Sequence, residues 1–302
     1  MDLKIFKIIL FVICFTYITD KLMYVSLNEI SSNVRSGTTI GKLNYYISIK
    51  DDTEFLFLGN SRTNHHVKNK WISHSSFNMG IDGSSVNYFL SVLKLTKPDH
   101  NKIVYLQIDP NDLFNMAYQG SDIKYLNHFY NSNKFIKNEI IKYEGYNFFR
   151  TFFWSIDFNG KVLPIIKNFF NDSNYEKELG FEPLIVNTEQ QKIFKKIISS
   201  KSETDCDNNY ITNQYFLDKL SEIINLSKIY GFSLKIYTPP FYYKQCVNHS
   251  KFLSDFLKTK EISYHNYSDL FIYKEDLKLW KDDIHLSLLG AEQFTKFLKS
   301  NL

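Results

Sequence analysis

A chain of 302 residues is long enough for one large α/β domain or two smaller ones with a substantial core. Its 36 Lys and Arg against 32 Asp and Glu leave a net charge of +4, an excess too small and too dispersed to argue for nucleic acid as a partner. With 27 Phe and 21 Tyr against 11 Gly and 6 Pro, the composition also argues against extended disorder, and no internal repeat or low-complexity block is present.

The first predicted element is apolar. Lys4 and Lys7 precede a run from Ile8 through Ile18, which Asp20 and Lys21 close. The run is short for a membrane span of roughly 20 residues, but snorkelling lysines and Leu22, Met23 and Val25 lengthen it. No small-residue cleavage site follows, because Thr16-Tyr17-Ile18-Thr19 is bulky. Residues 1–25 are therefore expected to form an uncleaved signal anchor, with a cleaved signal peptide or a buried or interfacial helix as the alternatives. The two lysines favour a cytoplasmic N-terminus, while Lys21 and Arg35 act against that orientation. Residues 26–50 read as a polar connector to a domain over residues 51–302.

That domain opens with Phe55-Leu56-Phe57-Leu58, the pattern of a strand buried on both faces of a parallel sheet. Gly59 permits a tight turn, and Ser61 falls at the carboxyl end of the strand, where open α/β sheets bind ligands. A serine there is a candidate nucleophile, which needs a base, an orienting carboxylate and oxyanion donors. His65 and His66 follow. Adjacent residues do not share a helix face and no carboxylate lies at ligand spacing, so no metal site is expected there.

A second strand, Ser76-Phe77-Asn78-Met79, ends at Gly80, whose N–H can turn toward a neighbouring strand end. Ser84 or Ser85 can cap a helix over residues 86–96, which ends before Pro98. The third strand, residues 102–108, runs into Asp109-Pro110-Asn111-Asp112. Asn111 is a candidate side-chain donor, although an ordinary Asx turn suits the tetrapeptide equally.

From about residue 113 to 230 the pattern loosens into an aromatic-rich insertion, densest at Tyr146, Phe148, Phe149, Phe152, Phe153 and Trp154. Core packing is its first expectation; a cap over the site, a sugar-stacking surface and a membrane-facing helix are the others. Residues 205–209 read as a polar loop. A helix over residues 213–230 carries Phe216, Leu220, Ile223 and Ile224 at helical period. A fourth strand at 233–237, a helix at 250–259 and a fifth strand at 262–267 complete a β/α alternation, which predicts a parallel sheet with helices on both faces. Cys14, Cys206 and Cys246 lack metal-ligand spacing; a Cys206–Cys246 disulfide and two free thiols both stay open. Near the C-terminus Ser287 can cap a last helix through Leu298. Asp282 and His285 share the loop before it, three residues apart, so the carboxylate can hold Nδ1 and leave Nε2 facing the site. Asp283 is a rival with a less suitable spacing.

Together these blocks resemble the SGNH (GDSL-like) hydrolases. The likeness rests on Gly59-Asn60-Ser61-Arg62-Thr63, on Gly80 after the second strand, on Asp109-Pro110-Asn111-Asp112 after the third, and on Asp282 three residues before His285. It covers roughly residues 53–112 and 233–302 and leaves the middle unmatched. It implies an SGNH-hydrolase-like (flavodoxin-like) α/β fold behind one N-terminal transmembrane helix, and serine-dependent acyl transfer on O-acyl esters without a cofactor. Ser61 would be the nucleophile, His285 the base and Asp282 its orienting group. Gly80 N–H, the Asn111 side chain and Ser61 N–H would form the oxyanion hole.

Two positions depart from the family pattern. Asn60 stands where an acid is usual, a variant that resembles membrane-anchored members acting on envelope glycans. Asp109 and Pro110 stand where the third block usually opens with Gly, which bears directly on Asn111. The resemblance implies an O-acyltransferase or O-acylesterase of a bacterial cell-surface polysaccharide. Such a protein would be single-pass in the inner membrane, with its catalytic domain in the periplasm or outside. Its substrate would be an acylated carbohydrate and its partner a multi-span acyl-donor membrane protein. Two other readings stay open: an idle SGNH-fold protein that binds a glycan or an envelope assembly partner, and an unrelated α/β protein in which Ser61 and His285 lie far apart.

Overall fold

Four apolar residues ending in glycine build an inner strand of the sheet. The computed structural model describes residues 3–37, 39–171, 175–198, 211–272 and 276–301. In it β1 (Phe55–Gly59) lies between β2 (Ser76–Gly80) and β3 (Ile103–Gln107), and β4 (Ser233–Thr238) and β5 (Ser263–Asn266) extend the sheet. All neighbours are parallel, in the order β2-β1-β3-β4-β5, the flavodoxin-like doubly wound order. Leu56, Phe57 and Leu58 are wholly buried, which is why these strands read as continuous apolar runs rather than alternating ones.

The helices follow in chain order. They are α1 (Leu3–Asn33), α2 (Thr39–Ile49), α3 (Ser61–His66), α4 (Val86–Thr96), α5 (Lys134–Glu144) and α6 (Phe148–Phe152). Next come α7 (Val162–Phe169), α8 (Tyr175–Glu178), α9 (Thr188–Ile198), α10 (Gln214–Tyr230), α11 (Val247–Thr259) and α12 (Leu288–Lys299). Two compact units result. One comprises Met1–Tyr45 and Ile123–Ser173, the other Tyr46–Asp122 and Asn174–Leu302.

The second unit holds the sheet. α4 packs on α10, and α12 packs on α3; the right-handed rule for parallel crossovers in this strand order puts α4, α10 and α11 on the face opposite α3. The core beneath α12 joins Phe57, Tyr105 and Tyr237 from the strands to Trp280, Phe294 and Leu298.

The first unit is built on α1, whose 31 residues are long and apolar enough to cross a membrane. The expected connector over residues 26–50 is instead helical: α1 continues to Asn33 and α2 follows. An established helix propagates through polar residues at little cost, and Tyr24 and Leu27 are fixed by Phe158 and Ile165 in a small core of this unit. The expected insertion over residues 113–230 is divided, Ile123–Ser173 joining the first unit and the remainder the second. Its aromatics are divided: Tyr130, Phe158, Phe181, Phe194 and Phe216 are buried as core packing requires, whereas Tyr146, Phe148 and Phe149 are each 65% exposed. The polar loop at 205–209 and the pairing of Cys206 with Cys246 lie outside the described residues, whereas Cys14 is a free, exposed thiol.

Candidate active site

Ser61 is the first residue of α3, one position beyond the residue that leaves β1. Asn60 caps the helix, its Oδ1 accepting the Arg62 N–H at 2.9 Å, while its own N–H donates to Gln107 Oε1 at the end of β3, also at 2.9 Å. Gly59 is required by space: a Cβ there would lie 2.0 Å from Thr63 Oγ1 and 2.7 Å from Gln107 Cβ. The turn that presents Ser61 is thus held from two adjacent strands, at the point where the winding of the sheet reverses.

His285 arrives from a loop closed on itself and then tied to α3. Trp280 and Leu286 form an antiparallel bridge, and Lys281 N–H donates to His285 O at 2.9 Å. Leu286 N–H donates to His66 Nε2 at 2.9 Å, and burial holds the His66 imidazole well below its ordinary range, in the neutral form that can accept. Its neighbour His65 turns elsewhere, to Glu182 O at 2.6 Å and Asp82 Oδ2 at 3.1 Å. The histidine pair is therefore spent on positioning. Among the described residues no cluster of His, Cys, Asp or Glu is arranged to hold a metal ion.

Ser61 Oγ lies 2.8 Å from His285 Nε2, not distant from it as chance matches would leave it. His285 Nδ1 lies 3.0 Å and 2.9 Å from the two oxygens of Asp282. Asp282 Oδ1 also accepts the backbone N–H groups of Ile284 at 3.0 Å and His285 at 2.8 Å. Burial works to raise this carboxyl, but the bond to His285 and the two amides outweigh it and hold the group below the ordinary carboxylate range. With a carboxylate on Nδ1, the tautomer protonated there leaves the Nε2 lone pair directed at the serine.

Beside Ser61 opens a polar cavity of about 240 Å³, lined by Asn60, Gly83, Ser84, Ser85, Asp112, Asn115, Tyr118, Ser121 and Asp122. Asp122 and Tyr118 serve the start of α4. Asp122 Oδ2 accepts the N–H groups of Ser85 at 2.8 Å and Tyr88 at 2.9 Å, and Tyr118 OH accepts the Asn87 N–H at 3.0 Å while donating to Asp122 Oδ1. They replace the expected serine cap: Ser85 makes no side-chain cap bond, and Ser84 Oγ donates to Gly59 O and Ile81 O. Asp112, half-buried in the same wall, is pushed up to about 8, first by burial and then by the negative Asp109, with Arg62 opposing and Asp122 adding. At neutral pH it is mainly a protonated acid, hence a donor.

Arg62 explains the departure at Asp109. Its guanidinium is buried, 3.1 Å from Asp109 Oδ2, donating to Pro239 O at 2.5 Å and Pro240 O at 2.9 Å and stacked 3.5 Å from the Phe241 ring. Burial lowers it to about 10, so it stays cationic at neutral pH. An acid at position 109 is its counter-charge. The signal was available in the sequence as an Arg directly after the strand-end serine and an Asp at the neighbouring strand end.

The two expected oxyanion donors are not gathered at this cavity. Gly80 N–H donates to Asn78 Oδ1 at 2.9 Å, and Asn78 is itself anchored to Thr63 O and Val67 O. Asn111 is exposed, its Nδ2 donating to Gln245 Oε1 at 2.7 Å and its Oδ1 lying 2.8 Å from His249 Nδ1. The turn that Asp109 caps, by accepting the Asn111 N–H at 3.0 Å, and the proline within it orient that side chain toward α11. Asn60 and Ser61 line the cavity, and among the described residues neither the Ser61 N–H nor the Asn60 side-chain Nδ2 donates a hydrogen bond. Comparison with protein-family models and with curated proteins gives no match to this chain.

Proposed function

We propose that the chain is a membrane-anchored serine enzyme of the SGNH type, which transfers or hydrolyses O-acyl groups on a bacterial cell-surface polysaccharide. The observation that carries this reading is the hydrogen-bonded series Ser61 Oγ, His285 Nε2, His285 Nδ1, Asp282. In the reaction His285 Nε2 removes the Ser61 proton as Oγ attacks the ester carbonyl, and Asp282 stabilises the imidazolium. The departing alcohol takes that proton and leaves an acyl-serine. Water resolves it in an esterase, a sugar hydroxyl in a transferase. The Ser61 N–H and the Asn60 amide are the donors available for the oxyanion. The wall of carboxyl, hydroxyl and amide groups suits a hydroxyl-rich acceptor. With α1 as a single inner-membrane span, the sheet unit would face the periplasm or the exterior, beside a multi-span acyl-donor protein.

A second reading, an idle member of the fold that binds a glycan or an assembly partner, is favoured by one observation: Gly80 N–H and the Asn111 amide are already engaged. A fluorophosphonate serine probe on the full chain in detergent separates the two. Wild type is expected to label, Ser61→Ala and His285→Ala to lose labelling, and Asp282→Asn to slow it by about 10²–10⁴-fold. A folded wild type that does not label would end the enzyme reading and leave the binding one.

A further inference from the structure

The large apolar side chains of α1 are exposed from Leu3 to Val25 except for the buried Tyr24, after which the exposed positions of the helix are polar. At a rise of 1.5 Å per residue that stretch is about 34 Å long, close to the roughly 30 Å hydrocarbon thickness of a bilayer. A second segment of the same unit packs against the C-terminal third of this stretch. Phe152 lies 4.9 Å from Tyr17 between ring centroids, and Trp154 lies 5.3 Å from Tyr24. Asp20 accepts the backbone N–H groups of Trp154 at 2.8 Å and Ser155 at 3.0 Å, together with the Ser155 hydroxyl. Lys21 donates to Phe152 O and stands 4.2 Å over the Trp154 ring. The only acidic group within the apolar stretch is in this way shielded by protein.

The depth of the segment follows from these contacts. Residues 152–158 lie level with positions 17–24 of α1, so with α1 as the span the side chains that project from them would lie at the edge of the hydrocarbon. The large side chains among them are mainly apolar, with the smaller polar Asn147, Thr151 and Asn159 exposed between them. Phe148 and Phe149 are 65% exposed, Trp154 36%, and Leu163, which shares a hollow with Met23, 79%, whereas the end of α7 lies farther along, where Ser36 Oγ donates to Asn168 O. The first turn and a half of α7 is apolar on both sides: Val162 and Ile165 turn inward to Tyr24 and Leu27, while Leu163 and Ile166 turn out, and the exposed Lys167 follows them. Water does not account for such a surface, whereas a bilayer boundary, where aromatic residues concentrate, does.

We propose that α6, α7 and the turn between them form a lipid-inserted collar around the end of α1, with the bilayer itself as occupant. The collar rests on α1 being the span, and the test keeps the two apart. The full chain is placed in single-copy lipid nanodiscs and labelled with an environment-sensitive nitrobenzoxadiazole probe. In every sample Cys206 and Cys246 are replaced by Ser, so that one thiol is labelled at a time, and one sample carries the label on native Cys14, which reports the span. Others carry it on Phe149→Cys or Leu163→Cys in a Cys14→Ser background, with Ile229→Cys of the sheet unit as the water-exposed reference. The collar predicts blue-shifted emission at 149 and 163, and a loss of intensity to doxyl-labelled lipids comparable with that at Cys14. Quenching at Cys14 with water-like emission at 149 and 163 overturns the collar and leaves the span. An unquenched Cys14 overturns both. Blue-shifted emission at 149 and 163 that lipid does not quench means a protein surface covers them, and also overturns the proposal.

Discussion

Asp112 lines the wall beside Ser61 as an acid that keeps its proton, and this has a consequence for stability. In an unfolded chain an aspartic acid ionises near about 3.9. Here the folded group is pushed up to about 8, chiefly by burial. Between those values the native state binds a proton that the unfolded chain has lost, so the contribution of Asp112 is full at low pH and disappears as pH rises through about 8. Asp282 has the opposite sign: held below the ordinary range, it contributes above about 3.9 and its contribution is lost as pH falls. Replacing Asp112 with Asn keeps a donor in the wall and removes the cost of ionisation. Thermal unfolding of wild type and Asp112→Asn across this range is therefore expected to give similar midpoints near pH 4 and a higher midpoint for the variant near pH 8.5. Parallel curves would show that Asp112 ionises as it does in solvent.

The end of β2 matters to the site through the close approach it allows between two elements. A Cβ added at Gly80 would stand 2.2 Å from Asn64 N and 2.7 Å from Asn64 Cα, both backbone atoms of the helix that presents Ser61. Backbone cannot rotate out of the way, so Gly80→Ala is expected to shift α3, destabilise the fold by about 1–3 kcal/mol and reduce fluorophosphonate labelling at Ser61. A variant that melts and labels like wild type would show that the helix has room to move. Much at this scale was legible in the sequence. Short apolar runs ending in glycine or polar residues located β1, β3 and β4, the β/α alternation located β2 and β5, and Ser287 does cap α12, its Oγ accepting the Gly290 N–H at 3.2 Å. What was not legible depends on partners far along the chain. The expected serine cap of α4 gave way to Asp122 and Tyr118, and Asn111 is held by Gln245 and His249, 134 and 138 positions away. A motif records the spacing of its own members and is silent about which distant side chain competes for one of them.

At the scale of the whole molecule, every residue named at the candidate site belongs to the sheet unit, while the hydrogen-bond partners described for Asp20 belong to the unit built from Met1–Tyr45 and Ile123–Ser173. The sequence could not reveal that the stretch after Asp122 returns to the N-terminal helix. Periodicity reports local structure, and the small core that unites Tyr24 and Leu27 with Phe158 and Ile165 joins positions more than a hundred residues apart. The division makes a separable prediction. Asp20→Ala leaves the N–H groups of Trp154 and Ser155 without their acceptor, at a cost of about 1–3 kcal/mol for each donor that stays buried. Limited proteolysis of the full chain is then expected to cut residues 148–170 faster than in wild type. Changes at sites that share no partners add independently, so fluorophosphonate labelling of Ser61 in the same variant should stay within about two-fold of wild type. Loss of labelling in step with the new cleavage would mean that serine activation depends on the anchoring unit, and that the chemistry read from Ser61, His285 and Asp282 needs the α1 assembly to be intact.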